Sequence, residues 1–362
     1  MRRRRFTVLL CLLVVLGLAA APGSAAGFGT IDTGGQSREH ERLTRAALSC
    51  AGDAGSEPDC IEPVTVDYLA GHGHEFGAVG APDSDELSDP AAHCDDADYV
   101  AGDYPRTRDQ ATASLVDCLN HLRMRFGEGL DSAQYMLGAD GEVLAAEVGL
   151  NPECRSREQR EDRAKCATLE GFGRALHGVQ DFYAHSNWAD RADPARPVGD
   201  ENPPGLDLPA PSPLLDLRGA AAPGPPPGLS TGCFVARDEV PGVASCTLRV
   251  THAALNKDRG RIDPATGAAS DPTTTRGMVG NNFAKAVSGA VTETRRQWQD
   301  FRSELVARYG TDRGERIICA LTHDDPVNDC GGSSLAVTLA VLTGLVVVAL
   351  GAVLWLRRRR RA

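Results

Sequence analysis

The chain has 362 residues, with 38 Lys and Arg against 49 Asp and Glu and a formal charge of −11. Setting aside the arginine blocks at 2–5 and 357–361 leaves 29 basic residues facing the same 49 acids. A surface near about −20 disfavours non-specific binding to nucleic acid and offers oxygen ligands to hard cations.

Residues 1–26 read as a signal peptide. Arg2 to Arg5 form a positive start, Thr7 to Ala21 an apolar stretch, and Ser24, Ala25 and Ala26 the small residues of a cleavage site. At the other end, Leu335 to Leu356 carries no charge over a length that spans about 33 Å as a helix, and Arg357 to Arg361 follow at once. A positive block after an apolar span stays cytoplasmic. The expectation is a single-pass cell-membrane protein: an extracellular domain at 27–332, a transmembrane helix at 333–356 and a cytoplasmic tail at 357–362.

Eleven cysteines agree with export. Cys11 lies in the signal segment, and the other ten read as neighbours: Cys50 with Cys60, Cys94 with Cys118, Cys154 with Cys166, Cys233 with Cys246, and Cys319 with Cys330. An even count in an oxidising compartment points to disulfides, although sequence order alone does not fix connectivity. In the chain-entropy view each short loop so closed stabilises the fold by roughly 3 kcal/mol. No C-x-x-C occurs, so a cysteine zinc site is disfavoured.

Within the exported part the expected class is mostly α, as one helical-bundle domain interrupted by a long loop. Ser37 to Cys50 carries Leu43, Ala46, Ala47 and Leu48 at helical spacing, and Arg106 to Phe126 carries Ala111, Leu115, Cys118, Leu119 and Leu122. Glu158 to Trp188 reads as a longer helix bent at Gly171 and Gly173. Pro194 to Gly228 shifts to Pro, Ala and Gly and reads as a loop. Alternation of strand type occurs only briefly near Cys233 and Cys246. Asn281 to Tyr309 is the clearest helix, with Phe283, Val287, Val291, Thr294, Trp298, Phe301 and Leu305 in one stripe.

The most informative stretch is "RALHGVQDFYAHSNWAD", residues 174–190. His177, Asp181 and His185 stand four residues apart, and each step of four turns only about 40° past a full helical turn. They therefore share one face, with apolar Leu176, Val179 and Phe182 between them. Two imidazoles and a carboxylate in that register point to metal binding. A divalent site needs at least three ligands, so other segments must contribute. Candidates are His40 in "SREHERLTRAAL"; Asp83, Asp85, Asp89, His93, Asp95 and Asp96 in "GAPDSDELSDPAAHCDDADY"; and His252, Asn256 and Asp258 in "LRVTHAALNKDRGRID". His72 and His74 read as loop residues, and His121 and His323 as surface residues.

Taken in order, His, then Asp with His, then H-x3-D-x3-H, then His resembles the zinc-dependent phospholipase C and P1-type nuclease superfamily. The "HGVQDFYAHSNW" segment looks closer to its Het-C-like and CinY-like branches. The resemblance covers roughly residues 28 to 310 and implies an all-α bundle holding two or three zinc ions. Asp83 and His93 would join His177 and Asp181 around one zinc. Asp181 would bridge to a second, bound also by His40 and the mature N-terminal residue near Gly27-Phe28. His185 and His252 would hold a third. The family places a Glu four residues after the last His, where this chain has Asn256; Asp258 serves instead if that segment is not helical.

The implied reaction is metal-assisted phosphoester hydrolysis by a metal-bound hydroxide, with Asp83 orienting or deprotonating the water. No G-x-S-x-G elbow competes with it. A phospholipase C-like activity on phospholipid stands first. A P1-type nuclease or nucleotidase and a non-catalytic, metal-stabilised Het-C-like surface protein are the alternatives.

Overall fold

The structure is a computed structural model. It describes residues 28–330 except 34, 51–59, 74, 101–106, 151–153, 155–162, 220–223, 234–245 and 247–248. The signal segment, the apolar run at 335–356 and the arginine tail lie outside the described residues. The single-pass cell-membrane placement is corrected: among the described residues no helix is long and apolar enough to cross a membrane. Even the longest, at 28 residues, carries Arg295, Arg296, Asp300 and Arg302 along its length.

The described residues are mostly helical. In chain order the helices are α1 (Glu39–Leu48), α2 (Pro63–Ala70), the one-turn α3 (Gly77–Gly80) and α4 (Pro82–Asp85), then α5 (Arg108–Ala133) and α6 (Ala145–Val148). They continue with α7 (Ala164–His185), α8 (His252–Leu255), α9 (Asn282–Tyr309), α10 (Thr311–Thr322) and α11 (Pro326–Asp329). The four long amphipathic segments read from the sequence thus form helices, although α5 runs on past Phe126 to Ala133 and α7 begins only at Ala164. α5 begins where a capping box sets it: Thr107 Oγ1 accepts from Gln110 N, and Gln110 Oε1 accepts from Thr107 N. On α9 all seven residues of the expected stripe are buried.

Strand structure differs from the expectation. Among the described residues the one named pair is β1 (Arg261–Ile262) with β2 (Ala269–Ser270), antiparallel, with Arg261 opposite Ser270. Cys233 makes only an isolated bridge, to Thr251. The described part of the Pro-rich segment holds a single 3-10 turn, Pro213–Leu215. It is tied to the helices rather than free. Trp188 Nε1 donates to Pro209 O at 2.9 Å, Gln297 Nε2 to Leu215 O at 2.7 Å, and Ser212 N to Glu293 at 2.7 Å.

All five cysteine pairs form as read, from Cys50–Cys60 to Cys319–Cys330. One contiguous apolar core joins side chains from Phe28 to Leu321. Phe126, Phe172, Trp298 and Phe301 interlock at one end, with Phe172 and Phe301 rings 4.7 Å apart.

Helix α7 runs through the centre, packed against α3, α5 and α9. Every residue from Gly171 to Asp190 is buried. The glycines expected to bend it stand inside one continuous 22-residue helix. Their role is close approach: a Cβ at Gly171 would lie 2.5 Å from Gly129 N of α5, and one at Gly173 would lie 2.9 Å from Val79 N. A helix buried on all sides is ordinarily apolar all round. This one carries His177, Gln180, Asp181 and His185, each fully buried, so each polar group needs a partner.

Candidate metal centre

Those partners come from four other segments. Among the described residues, three groups of His and Asp side chains converge closely enough to hold a metal ion: His40 with His177 and Asp181, Asp83 with His93 and His177, and Asp95 with His185 and His252. All seven residues carried over from the resemblance lie in these groups. A fourth group, Cys319, His323 and Cys330, has its sulfurs joined in a disulfide, so it offers no thiolate.

The first two groups form one paired centre around Asp181. Its Oδ1 faces His40 Nε2 at 3.2 Å and accepts from Phe28 N at 3.2 Å. Its Oδ2 lies 3.0 Å from His93 Nδ1 and 3.0 Å from His177 Nε2. One carboxylate therefore divides its two oxygens between two sets of imidazoles, which neutral histidine, with a single lone pair, cannot do.

Neighbours fix which nitrogen each ring presents. His177 Nδ1 donates to Val79 O at 2.9 Å, and His40 Nδ1 donates to Gln180 Oε1 at 2.7 Å. Both Nε2 atoms are thereby left to face Asp181 with a lone pair. Gln180 is held in turn by donating to Thr44 and Thr294. Asp83 sits on α4 with 6 % of its side chain exposed; its Oδ2 accepts from Thr30 Oγ1, and its Oδ1 has no hydrogen bond and lies 3.8 Å from His177 Nε2.

The second centre lies one turn on along α7, about 6 Å of helical rise. His185 and His252 stack with ring centroids 3.8 Å apart. Asp95 Oδ1 lies 3.6 Å and 3.8 Å from their Nδ1 atoms, while Asp258 lies on the Nε2 side at 3.2 Å and 3.7 Å. Of Asn256 and Asp258, Asp258 is the one that faces the imidazoles. Helix α8 stops at Leu255, and Asn256 turns extended with φ −55° and ψ 123°. Asn256 Oδ1 accepts from Asp258 N at 3.0 Å, and the Asp258 carboxylate swings toward the imidazoles.

The loop from His93 to Tyr99 serves both centres. Cys94, with φ 56°, stands between His93 in the first centre and Asp95 in the second, and Asp96, with φ 74°, follows directly. The Cys94–Cys118 disulfide fixes the loop to α5, and buried Arg249 pairs with Asp96 at 3.1 Å and Asp98 at 2.9 Å. Lys257, also buried, ties the end of α7 to the strand of chain after α8, donating to Ser186 O at 2.9 Å and pairing with Asp190 at 3.1 Å.

Electrostatically the centres favour positive charge. Burial opposes protonation of His93, but Asp181, Asp83 and Asp95 outweigh it and hold its pKa at about 9. Burial likewise opposes charge on His252, and Asp258 and Asp95 overcome this to hold it at about 10. Burial would raise Asp181, yet His177, His185 and His40 hold it well below the usual carboxylate range. Orphaned polar atoms mark where a cation fits: His40 Nε2, His93 Nε2, Asp83 Oδ1, and both side-chain polar atoms of Asp95, His185 and Asp258 lack hydrogen bonds. Such atoms are costly in a protein interior unless an ion or water satisfies them.

The remaining sequence candidates go elsewhere. Asp85 makes a two-pronged pair with Arg174, at 2.9 and 2.8 Å. Asp89 lies near His121. His72 sits in a turn with 69 % of its side chain exposed, and His74 is outside the described residues. His121 is not a surface residue as expected; only 10 % of its side chain is exposed, between Glu86 and Asp89. Asp95 was one acid among seven in its stretch, and no spacing rule singled it out. A cavity of about 350 Å³ borders the outer face of α8, lined by Arg196, Arg276, Ala253 and Ala254 among others, and none of the converging His and Asp residues lines it.

No family model, no curated protein and no solved structure matches this chain.

Proposed function

We propose that the chain is a metal-dependent phosphoester hydrolase of the zinc-dependent phospholipase C and P1-nuclease kind, acting first on phospholipid head groups. The observation that carries this reading is Asp181, buried and split between His40 on one oxygen and His93 with His177 on the other. That arrangement suits two neighbouring divalent ions, for which zinc matches the imidazole and carboxylate donors. Bound there, the ions would supply Lewis acidity and bring the pKa of water down toward about 7.

The chain's own groups do the rest. His177 and His40 are oriented by Val79 O and Gln180, so their ligand atoms need no rearrangement. Asp83 is the least buried member of the paired centre, and its Oδ1, which lacks a hydrogen bond and lies 3.8 Å from His177 Nε2, would orient or deprotonate the attacking water. The excess of acids over bases favours a small or lipid phosphodiester over long nucleic acid.

The test is hydrolysis of a chromogenic phosphodiester and of phosphatidylcholine by the full chain, before and after chelation and zinc readdition. Loss and recovery of head-group release supports the proposal. Activity unchanged by thorough metal removal overturns it. Metal bound tightly with no hydrolysis of lipid, nucleotide or single-stranded nucleic acid would leave a metal-stabilised surface protein.

A further inference from the structure

The two carboxylates of the second centre are placed differently, and the difference assigns them different roles. A single oxygen of Asp95, Oδ1, meets both imidazoles, at 3.6 Å from His185 Nδ1 and 3.8 Å from His252 Nδ1. One oxygen of Asp95 and one nitrogen of each ring lie within 4.8 Å of one another. Tetrahedral zinc with bonds of about 2.0–2.1 Å sets its ligand atoms about 3.3–3.4 Å apart, so the two Asp95–imidazole distances are within a few tenths of an ångström of that spacing. Asp258 instead divides its oxygens, Oδ1 toward His185 Nε2 at 3.2 Å and Oδ2 toward His252 Nε2 at 3.7 Å. That is how a carboxylate receives two separate N–H donors, one nearest each oxygen.

Asp95 is also the carboxylate of its loop with nothing else to do. It is 1 % exposed and both its oxygens lack a hydrogen bond, whereas Asp96 and Asp98 on the same loop are held by Arg249.

We propose that Asp95 is a metal ligand of the second centre together with Nδ1 of His185 and Nδ1 of His252, and that Asp258 is the outer carboxylate accepting both Nε2–H groups. The assignment rests on the metal-dependent reading of the chain. It departs from what the resemblance implies, in which an acid shortly after the last His is the ligand. Chemically the two halves agree: an imidazole bound through Nδ1 carries its remaining proton on Nε2, where Asp258 stands to receive it.

The experiment uses the full chain loaded with zinc, its metal content counted by mass spectrometry, beside Asp95→Asn and Asp258→Asn. Asp95→Asn is expected to lose one ion per chain at saturating zinc. Asp258→Asn is expected to keep the count while binding that ion about 10- to 100-fold more weakly, the usual effect of losing an outer partner. Long-range proton–nitrogen correlation spectra of the zinc-loaded parent read the bound nitrogen directly and need no variant to fold. Both rings bound through Nδ1 upholds the proposal, and binding through Nε2 overturns it. Loss of the ion in Asp258→Asn with retention in Asp95→Asn overturns it also. A parent that loses metal on Asp181→Asn but not on Asp95→Asn refutes this assignment alone, while a parent with no bound metal removes the functional reading beneath it.

Discussion

The paired centre around Asp181 and the second centre around His185 and His252 are built from the same residue types on the same helix, yet they are supported in opposite ways. In the first, two of the imidazoles lean on neutral acceptors, Val79 O and the Gln180 amide. In the second, both rings lie between two buried carboxylates, Asp95 and Asp258, and neither nitrogen of His185 has a hydrogen bond to a neutral group among the described residues. A neutral acceptor fixes a tautomer without itself adding charge. Two carboxylates around two imidazoles instead require positive charge between them, as protons or as an ion. The first centre is therefore preorganised by hydrogen bonds, and the second depends more on what it binds.

The largest effect that would break this comparison is at Asp181. Asp181→Asn is expected to strip the ions of the paired centre and lower phosphodiester hydrolysis by more than about 100-fold, leaving the second centre loaded. Metal counting and steady-state rates on the same preparation check it. Full activity in the variant would end the hydrolase reading.

Gln180→Leu probes the preorganisation itself. It removes the acceptor of His40 Nδ1 without touching a ligand, so the ion on the His40 side should bind about 10- to 100-fold more weakly. Competition with a chromogenic chelator measures this, and equal weakening of both centres would contradict the separation drawn between them.

Gly171→Ala acts on the scaffold that both centres share. Its new methyl would press on Gly129 N and Arg125 O of α5. Overpacking of this kind costs about 1–3 kcal/mol, read as a lower denaturant midpoint with the metal count unchanged. Loss of metal from one centre only would show that the helix crossing supports them unequally.

The smallest effect is one of pH at the ion pairs beside α4. Burial would raise the Glu86 carboxyl, but His121, Arg174 and Arg125 outweigh it and hold it at about 2, against 4.5 in the unfolded chain. A carboxyl depressed in the fold contributes stability that is present above pH 4.5 and is lost as pH falls toward about 2. Glu86→Gln should flatten that part of the acid limb in urea titrations between pH 5 and 3. An unchanged limb would remove Glu86 from the pH response.

Much of the architecture follows from local pattern. The stripe on α9, the face of α5 and the neighbour pairing of cysteines depend on residues within a few turns of one another, where periodicity and short loop closure decide the outcome. The alignment of His177, Asp181 and His185 is equally local, because a helix fixes the direction of every fourth side chain. What lies opposite that face is not local. Asp83 and His93 reach the first centre, and Asp95 and Asp258 the second, from loops and single turns whose side-chain directions no period sets. The αL backbone at Cys94 and Asp96, the grip of Arg249 on Asp96 and Asp98, and the early end of α8 decide which acids turn inward. Those contacts join residues about a hundred or more positions apart, so composition showed an acidic stretch while only the packed chain singled out Asp95. The sequence by itself determined the helix that presents His177, Asp181 and His185 on one face; the tertiary structure alone decided which carboxylates meet it, because loop direction is set by distant packing and not by spacing along the chain.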